Sequence, residues 1–131
     1  MPEVPVVEGR VSGPPPQVKD SNPTTSTIMN QLIDTLRIKA THQESWYAEK
    51  LVGMDGVNLR FRVMRNASAD FHKHVEGPEC FFVLSGTVMV DTENGNVTLG
   101  PGQFFKVDTL VSHRARVDGE ATLLVLDQIP S

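Results

Sequence analysis

Residues 71–86 read FHKHVEGPECFFVLSG, and residues 111–116 read VSHRAR. Three of the chain's four histidines, His72, His74 and His113, fall in these two stretches, together with Glu79. Three imidazoles and one carboxylate make a complete ligand set for a divalent metal. The His-x-His spacing suits strand geometry, because residues i and i+2 share one face of a strand and Lys73 would point away. From Glu79 the same face continues through Phe81 and Val83, so an apolar floor is expected beside the carboxylate.

The flanking text extends the strand reading. VNLRFRVM (57–64) alternates apolar and polar residues, and FFVLSGTVMVDT (81–92) is apolar and β-branched with a turn at Ser85-Gly86. Asn94-Gly95 is a hairpin signal between TVMVDT and NVTLG. GPGQFF (100–105) turns into another strand, and ATLLVLDQI (121–129) is the last. Short strands at regular spacing with Gly, Pro and Asn turns predict an all-β sandwich or barrel. CFFVL and TLLVL are apolar on both faces. One face would line the barrel, and the other needs a cover, from a helix or from a second subunit.

The chain has 131 residues and 39% hydrophobic content, enough for one domain with a modest core. Its net charge of −4 comes without a block of like charges, which excludes an obvious nucleic-acid surface. No apolar run approaches the length of a transmembrane helix. MPEVPVVEGR is broken by proline and carries acids, so it does not read as a signal peptide. Cys80 is the single cysteine, so no intrachain disulfide is possible, and a cytoplasmic protein is the expectation. Six of nine prolines precede residue 24, and VSGPPPQVKDSNPTTS (11–26) cannot form a helix. Residues 1–26 are therefore expected to be a flexible or extended arm, with Val4, Val6 and Val7 as anchors if it lies across a partner subunit. Residues 27–131 form the domain. Ile28, Leu32, Ile33 and Leu36 are spaced for a helix over about 28–39, capped at Ser26 or Thr27. His42, just beyond it, reads as a surface residue.

The order His72-x-His74, Glu79, Gly86, then Gly95, Pro101 and His113 resembles the two motifs of the cupin superfamily, specifically the small single-domain metal-binding cupins. The resemblance covers roughly residues 45–128. It implies a cupin-type jelly-roll β-barrel with the metal inside, held by His72, His74 and Glu79 on two neighbouring strands and by His113 on a third. Two positions depart from the family pattern. Asn66 stands where the first motif often begins with glycine, and Asp108, Thr109 and Leu110 replace a frequent Pro-x-Gly turn before the last histidine. Neither change removes a ligand, and the second would reshape the pocket mouth.

One divalent transition metal per chain is expected. Fe2+ is the first choice, and the donors also suit Mn2+, Ni2+, Zn2+, Co2+ or Cu2+. Four protein ligands leave open positions on a five- or six-coordinate metal, whereas on zinc they could close the site. Arg60 and Arg62 alternate with Leu59, Phe61 and Val63. If the arginines face inward they could hold an anionic substrate, and if they face outward they are solvated or at a dimer edge. Phe81, Val83 and Phe104 are the expected pocket wall, with Phe105 as core or wall. Arg114 and Arg116 should point outward. Cys80, opposite in alternation to Glu79, reads as a small hydrophobe rather than a nucleophile. Trp46 and Tyr47 fit a barrel end or an interface.

The resemblance implies a metal-dependent enzyme acting on a small organic molecule, most often by non-haem-iron dioxygenase chemistry. A redox-neutral isomerase, epimerase or lyase is the second reading, and a metal-containing binding module without turnover is the third. A homodimer is expected from the two-faced apolar strands and the valine-bearing arm, with no nucleic-acid or membrane partner.

Overall fold

The computed structural model describes residues 30–130. A short helix α1 (Thr35–Thr41) precedes seven strands: β1 (Trp46–Met54), β2 (Val57–Ser68), β3 (Glu79–Ser85), β4 (Val88–Thr92), β5 (Gly95–Leu99), β6 (Phe104–Val107) and β7 (His113–Asp127). Every strand pairing is antiparallel, in the order β1-β2-β7-β3-β6, with β4 joined to both β7 and β5. No helix among the described residues is long and apolar enough to cross a membrane.

The 15-residue strand β7 is the spine. Its first part, His113–Arg116, pairs with β4, and its second part pairs with β2 on one side and β3 on the other. Val88, Val90, Leu99, Ala115 and Val117 from the first part share one buried cluster with Trp46, Met64, Phe81, Val83, Leu123 and Val125 from the second. The two parts therefore face each other across a single core, as a jelly-roll barrel requires.

The turn is made where β7 breaks its alternation. Asn66 of β2 has φ of 47° and Gly119 has φ of 86°, and the Gly119 N–H donates to Asn66 Oδ1 at 2.8 Å. The pairing register shifts between Arg65 and Ala67, which marks a bulge. Asparagine is one of few residues besides glycine that adopts this left-handed backbone, so Asn66 fills a glycine-like position and adds a hydrogen bond. Gly86 follows the same logic. Its φ is 79°, and a Cβ there would come within 2.8 Å of Ala121 Cα. In the β4–β5 hairpin, Thr92 pairs with Gly95, so the two loop residues are Glu93 and Asn94 rather than Asn94 and Gly95. Gly95 opens β5 with φ of 128°.

The second apolar face forms its own cluster of Tyr47, Phe61 and Val63, packed by Leu51, Leu84, Leu124 and, from α1, Ile38. The helix is shorter than the sequence spacing predicts. The expected cap at Ser26 or Thr27, the residue Ile28 and the arm over residues 1–26 lie outside the described residues. Within them, residues 30–34 are not helical, and Asp34 caps α1 by accepting from the Leu36 and Arg37 N–H groups at 3.0 and 3.3 Å. The carboxylate satisfies the end of the helix there, so the helix starts late. The expected stripe does not pack either, because Leu32 is 94% and Leu36 74% exposed. His42 is partly buried and stacks on Tyr47, with ring centroids 3.6 Å apart.

Candidate metal centre

His113 opens β7 and Glu79 opens β3, and both are almost fully buried. His72 and His74 come from a segment that is not a strand. Residues 73–78 make no ladder, and a single antiparallel rung ties His72 to His113. In that rung the His72 N–H donates to the His113 carbonyl at 3.0 Å and the His113 N–H donates back at 2.9 Å. Pairing stops beyond it, where Gly77-Pro78 interrupts the chain and Pro78 has no amide to donate. The expectation that one regular strand presents both histidines is thus corrected: backbone bonds to a neighbour place them instead. The Leu110 N–H donates to the His74 carbonyl at 2.9 Å. Leu110, with φ of 70°, sits in a turn closed by the Val111 N–H on the Asp108 carbonyl at 3.2 Å. The replaced Pro-x-Gly segment therefore keeps a left-handed residue, and it holds one ligand through its backbone.

Two of the three rings are aimed from behind. His113 Nδ1–H donates to the Val111 carbonyl at 2.8 Å, and His72 Nδ1–H donates to the Asp70 carbonyl at 2.7 Å. These bonds fix the tautomer and leave both Nε2 lone pairs directed at Glu79. Glu79 Oε1 lies 2.6 Å from His113 Nε2, 3.1 Å from His74 Nε2 and 3.7 Å from His72 Nε2. One donor atom from each of the four residues falls within 4.8 Å of every other. Donors on one transition metal, bonded at about 2.1 Å, sit roughly 3–4 Å apart. The cluster is close to that spacing.

Burial dominates the electrostatics. Desolvation pushes all three imidazoles below their ordinary range, His74 to about 3, and pushes the Glu79 carboxyl well above its own, with Arg62 opposing. Neutral imidazoles are the metal-binding form. A cation among these donors would favour the ionised carboxylate and offset the cost of burying it. The donor set, its orientation and its buried carboxyl all fit a divalent metal.

This burial sets an acid response in the metal-free protein. An unfolded histidine takes a proton near 6.5, and folded His74 does so only near 3. Between those values the unfolded chain binds more protons, so stability falls as pH drops. Glu79 acts in the opposite sense, but one carboxyl stands against three imidazoles. Thermal melts of the metal-free protein should therefore show Tm falling from about pH 7 to about pH 4. A flat Tm over that range would contradict the buried neutral histidines.

Cross-strand register defines the wall. Arg60 and Arg62 pair with Val125 and Leu123, whose buried side chains lie in the main core, so both arginines occupy the interior face. Arg62 is 3% exposed, its Nη2 lies 3.9 Å from Glu79 Oε2, and its guanidinium lies over the Trp46 ring at 5.1 Å. Arg60 Nε donates to Asp127 Oδ2 at 2.8 Å, and Asp127 also accepts from Asn58 and the Ile129 N–H. Phe81 and Val83 are fully buried on the Glu79 face. Phe104 is not part of this wall. It pairs with Phe82 on the outer face and is 55% exposed, while Phe105 pairs with Phe81 and packs on the core. A cleft of about 300 Å³ between β5 and β6 is lined by Thr92, Val97, Phe105, Val107 and Val111, among others. Thr92 and Val107 are the cross-strand partners of His113 and Glu79.

Arg114 and Arg116 lie on the outer face and both donate to Asp91, at 3.0 and 2.6 Å. Although burial opposes it, these bonds hold the Asp91 carboxyl below its ordinary range. Cys80 is half-buried, and burial beside Glu79 pushes its thiol up, which disfavours a thiolate. The sequence reading missed Trp46 and Asp127 as interior neighbours. Their inward direction is set by pairing with β2 and β7, for which a single strand carries no local signal.

The Cupin domain family profile matches residues 59–129. A cupin-2 domain containing protein from Shewanella frigidimarina superposes with a TM-score of 0.68 at 17% identity, covering 75% of this chain and 95% of that one. Protein NMB1881 from Neisseria meningitidis gives a TM-score of 0.64 at 22% identity, covering 76% and 100%. The DMSP lyase DddQ from Ruegeria pomeroyi gives 0.57 at 24% identity, covering 63% and 46%. At these identities the likeness is one of fold. The sequence matches none of the curated proteins.

Proposed function

The chain belongs to the cupin domain family, and from that premise we propose that it is a metal-dependent enzyme acting on a small organic molecule by dioxygenase-type chemistry. The carrying observation is the convergence of His72, His74, Glu79 and His113 within 4.8 Å, beside the apolar Phe81 and Val83. His72, His74, Glu79 and His113 would hold the metal, Fe2+ in the first instance. A bound Fe2+ would supply the site where substrate and dioxygen are brought together.

The chain's own residues have three tasks in this reading. The Asp70 and Val111 carbonyls keep two imidazoles in the binding tautomer. Phe81, Val83 and Phe105 exclude water from one side of the centre. The third is to supply the cleft between β5 and β6, whose lining includes Val107 and Thr92, the cross-strand neighbours of Glu79 and His113.

Redox-neutral isomerase or lyase chemistry needs a protein acid or base besides the ligands. Among the described residues the interior wall offers Asp127, which Asn58 and Arg60 already engage. That observation ranks dioxygen chemistry first. The test is dioxygen uptake by the Fe2+-reconstituted protein with a panel of small diketones, phenols, thiols and their carboxylated forms. Substrate-dependent uptake is expected. No uptake across the panel, with turnover by the Mn2+ or Zn2+ form without oxygen, would transfer the assignment to the redox-neutral class.

A further inference from the structure

We propose that the outer face of the β1-β2-β7-β3-β6 sheet is the interface between two copies of this chain, packed sheet on sheet about a two-fold axis. Register, exposure and charge on that face carry the proposal.

Cross-strand register lays two rows of side chains across all five strands. One row runs Val52, Leu59, Leu126, Cys80 and Lys106, and the next runs Glu49, Phe61, Leu124, Phe82 and Phe104. Met54 and Val57, paired at the hairpin end of β1 and β2, extend the same face. Alternation sets these positions opposite the core, because their neighbours Phe81, Leu123 and Val125 are fully buried there.

Among the described residues, Ile38 of α1 reaches one end of this face, against Tyr47, Phe61 and Val63. Away from that end the face stays open. Val52, Met54, Val57 and Phe104 are between 37% and 68% exposed, and Leu59, Leu124, Leu126, Cys80 and Phe82 are partly exposed. A contiguous apolar patch of this extent marks an interaction surface.

Its size fits a second copy. With strands about 4.8 Å apart and same-face residues about 6.8 Å apart, five strands and three rows span roughly 24 by 20 Å, a flat footprint on the order of 500 Å². The relief of the side chains adds to that, and a stable interface takes about 800 Å² of accessible surface from each partner. A two-fold contact uses one patch twice, and sheet faces pack on each other with their side chains interdigitated. The edges of the sheet suit a partner less well. β1 carries a bulge between Lys50 and Val52, and β6 has only four residues, which discourages strand addition.

Charge points the same way. Where these two rows cross β2, β7 and β3, no side chain is charged. Glu49 and Lys106 stand on the two outer strands, engaged by the Tyr47 hydroxyl and by Asp108. An uncharged centre is what interfaces favour, and a rim of both signs lets the face meet its own copy without net repulsion.

The test uses the full chain and its F104E, V52E and T98E variants, with sedimentation velocity for mass and thermal melting for fold. Thr98 is exposed on β5, outside these rows, and serves as the control. The wild type should sediment as a dimer at about 20 μM, since interfaces of this size bind in the micromolar range or tighter. F104E and V52E should weaken the dimer by about tenfold or more, because each would bury an uncompensated charge, and T98E should leave it intact. The Cys80 thiol should react with a maleimide several-fold more slowly in the wild type than in V52E, whose substitution lies on a strand remote from β3. A monomeric wild type overturns the proposal, and slow Cys80 labelling in that monomer would assign the cover to the chain's own residues. A dimer that persists unweakened in both F104E and V52E, or that T98E dissolves as fully, also overturns it. If the glutamate variants do not melt cooperatively, F104A and V52A take their place, and unchanged dissociation in both overturns the interface.

Discussion

Replacing His74 or His113 by alanine should empty the proposed metal site. Metal content after desalting should fall from near one ion per chain to near none. Even groups that only support a ligand cost about 10–100-fold in affinity when removed, so losing a ligand should cost more. The two variants have different uses. His113 is 1% exposed, bonds Glu79 at 2.6 Å and lies beside Phe81, so its truncation also opens the core. The His74 side chain is 10% exposed and lies on an irregular segment, so its truncation leaves the barrel packing intact. H74A should therefore lose metal while its metal-free Tm stays close to wild type, and H113A should lose both. Elemental analysis and thermal melting on the same samples read this out. Full metal occupancy in both variants would remove the quartet as the binding site.

Replacing Phe81 by alanine should destabilise the protein by about 3–5 kcal/mol, the cost of a large buried aromatic. That is a large share of the roughly 5–15 kcal/mol that holds a domain folded. Phe81 has no exposed surface and contributes to the core that joins both parts of the barrel. Its ring meets His113 edge-on, with centroids 6.1 Å apart. The cavity would open directly beside a ligand, so the variant should also hold metal less tightly. Phe82, one residue on, is the control. It is half-buried on the outer face against Phe104, and its truncation should cost clearly less. Urea unfolding of the two metal-free variants measures the difference. Equal losses would mean that the Glu79–Phe81–Val83 face is not the interior one.

The meeting of His72, His74, Glu79 and His113 and the barrel were legible in the sequence because both rest on local patterns. His72, His74 and Glu79 lie within one short stretch, and strand alternation with glycine turns marks the sheet. The sense of alternation was harder. Leu59, Phe61 and Val63 are as apolar as any core strand, and nothing within β2 says that Phe61 and Val63 face α1 and Leu124 while Arg60 and Arg62 face inward. Pairing with β7 decides that, and β7 lies far along the chain. The same applies to Phe104 and Phe105. Two adjacent phenylalanines must face opposite ways, and only the register with β3 chooses between them. The helix was misplaced for a local reason, because an aspartate cap outweighed an apolar spacing that packs against nothing among the described residues. The His-x-His pair reached its place without the regular strand that the spacing suggested, through one rung to His113 and one bond from Leu110.

The position of β7 has a consequence for how the protein is made. This strand pairs with β2, β3 and β4, yet it is the last of the described strands to leave the ribosome. Thirty-four residues separate Glu79 from His113. At a synthesis rate of about 5–20 residues per second, three ligands wait roughly two to seven seconds for the fourth. During that interval β2 and β3 lack their shared neighbour and expose edges that can pair elsewhere. If the proposed ion binds, its loading and the closure of the barrel become one late event. A growing chain caught before β7 emerges is open to aggregation through those edges.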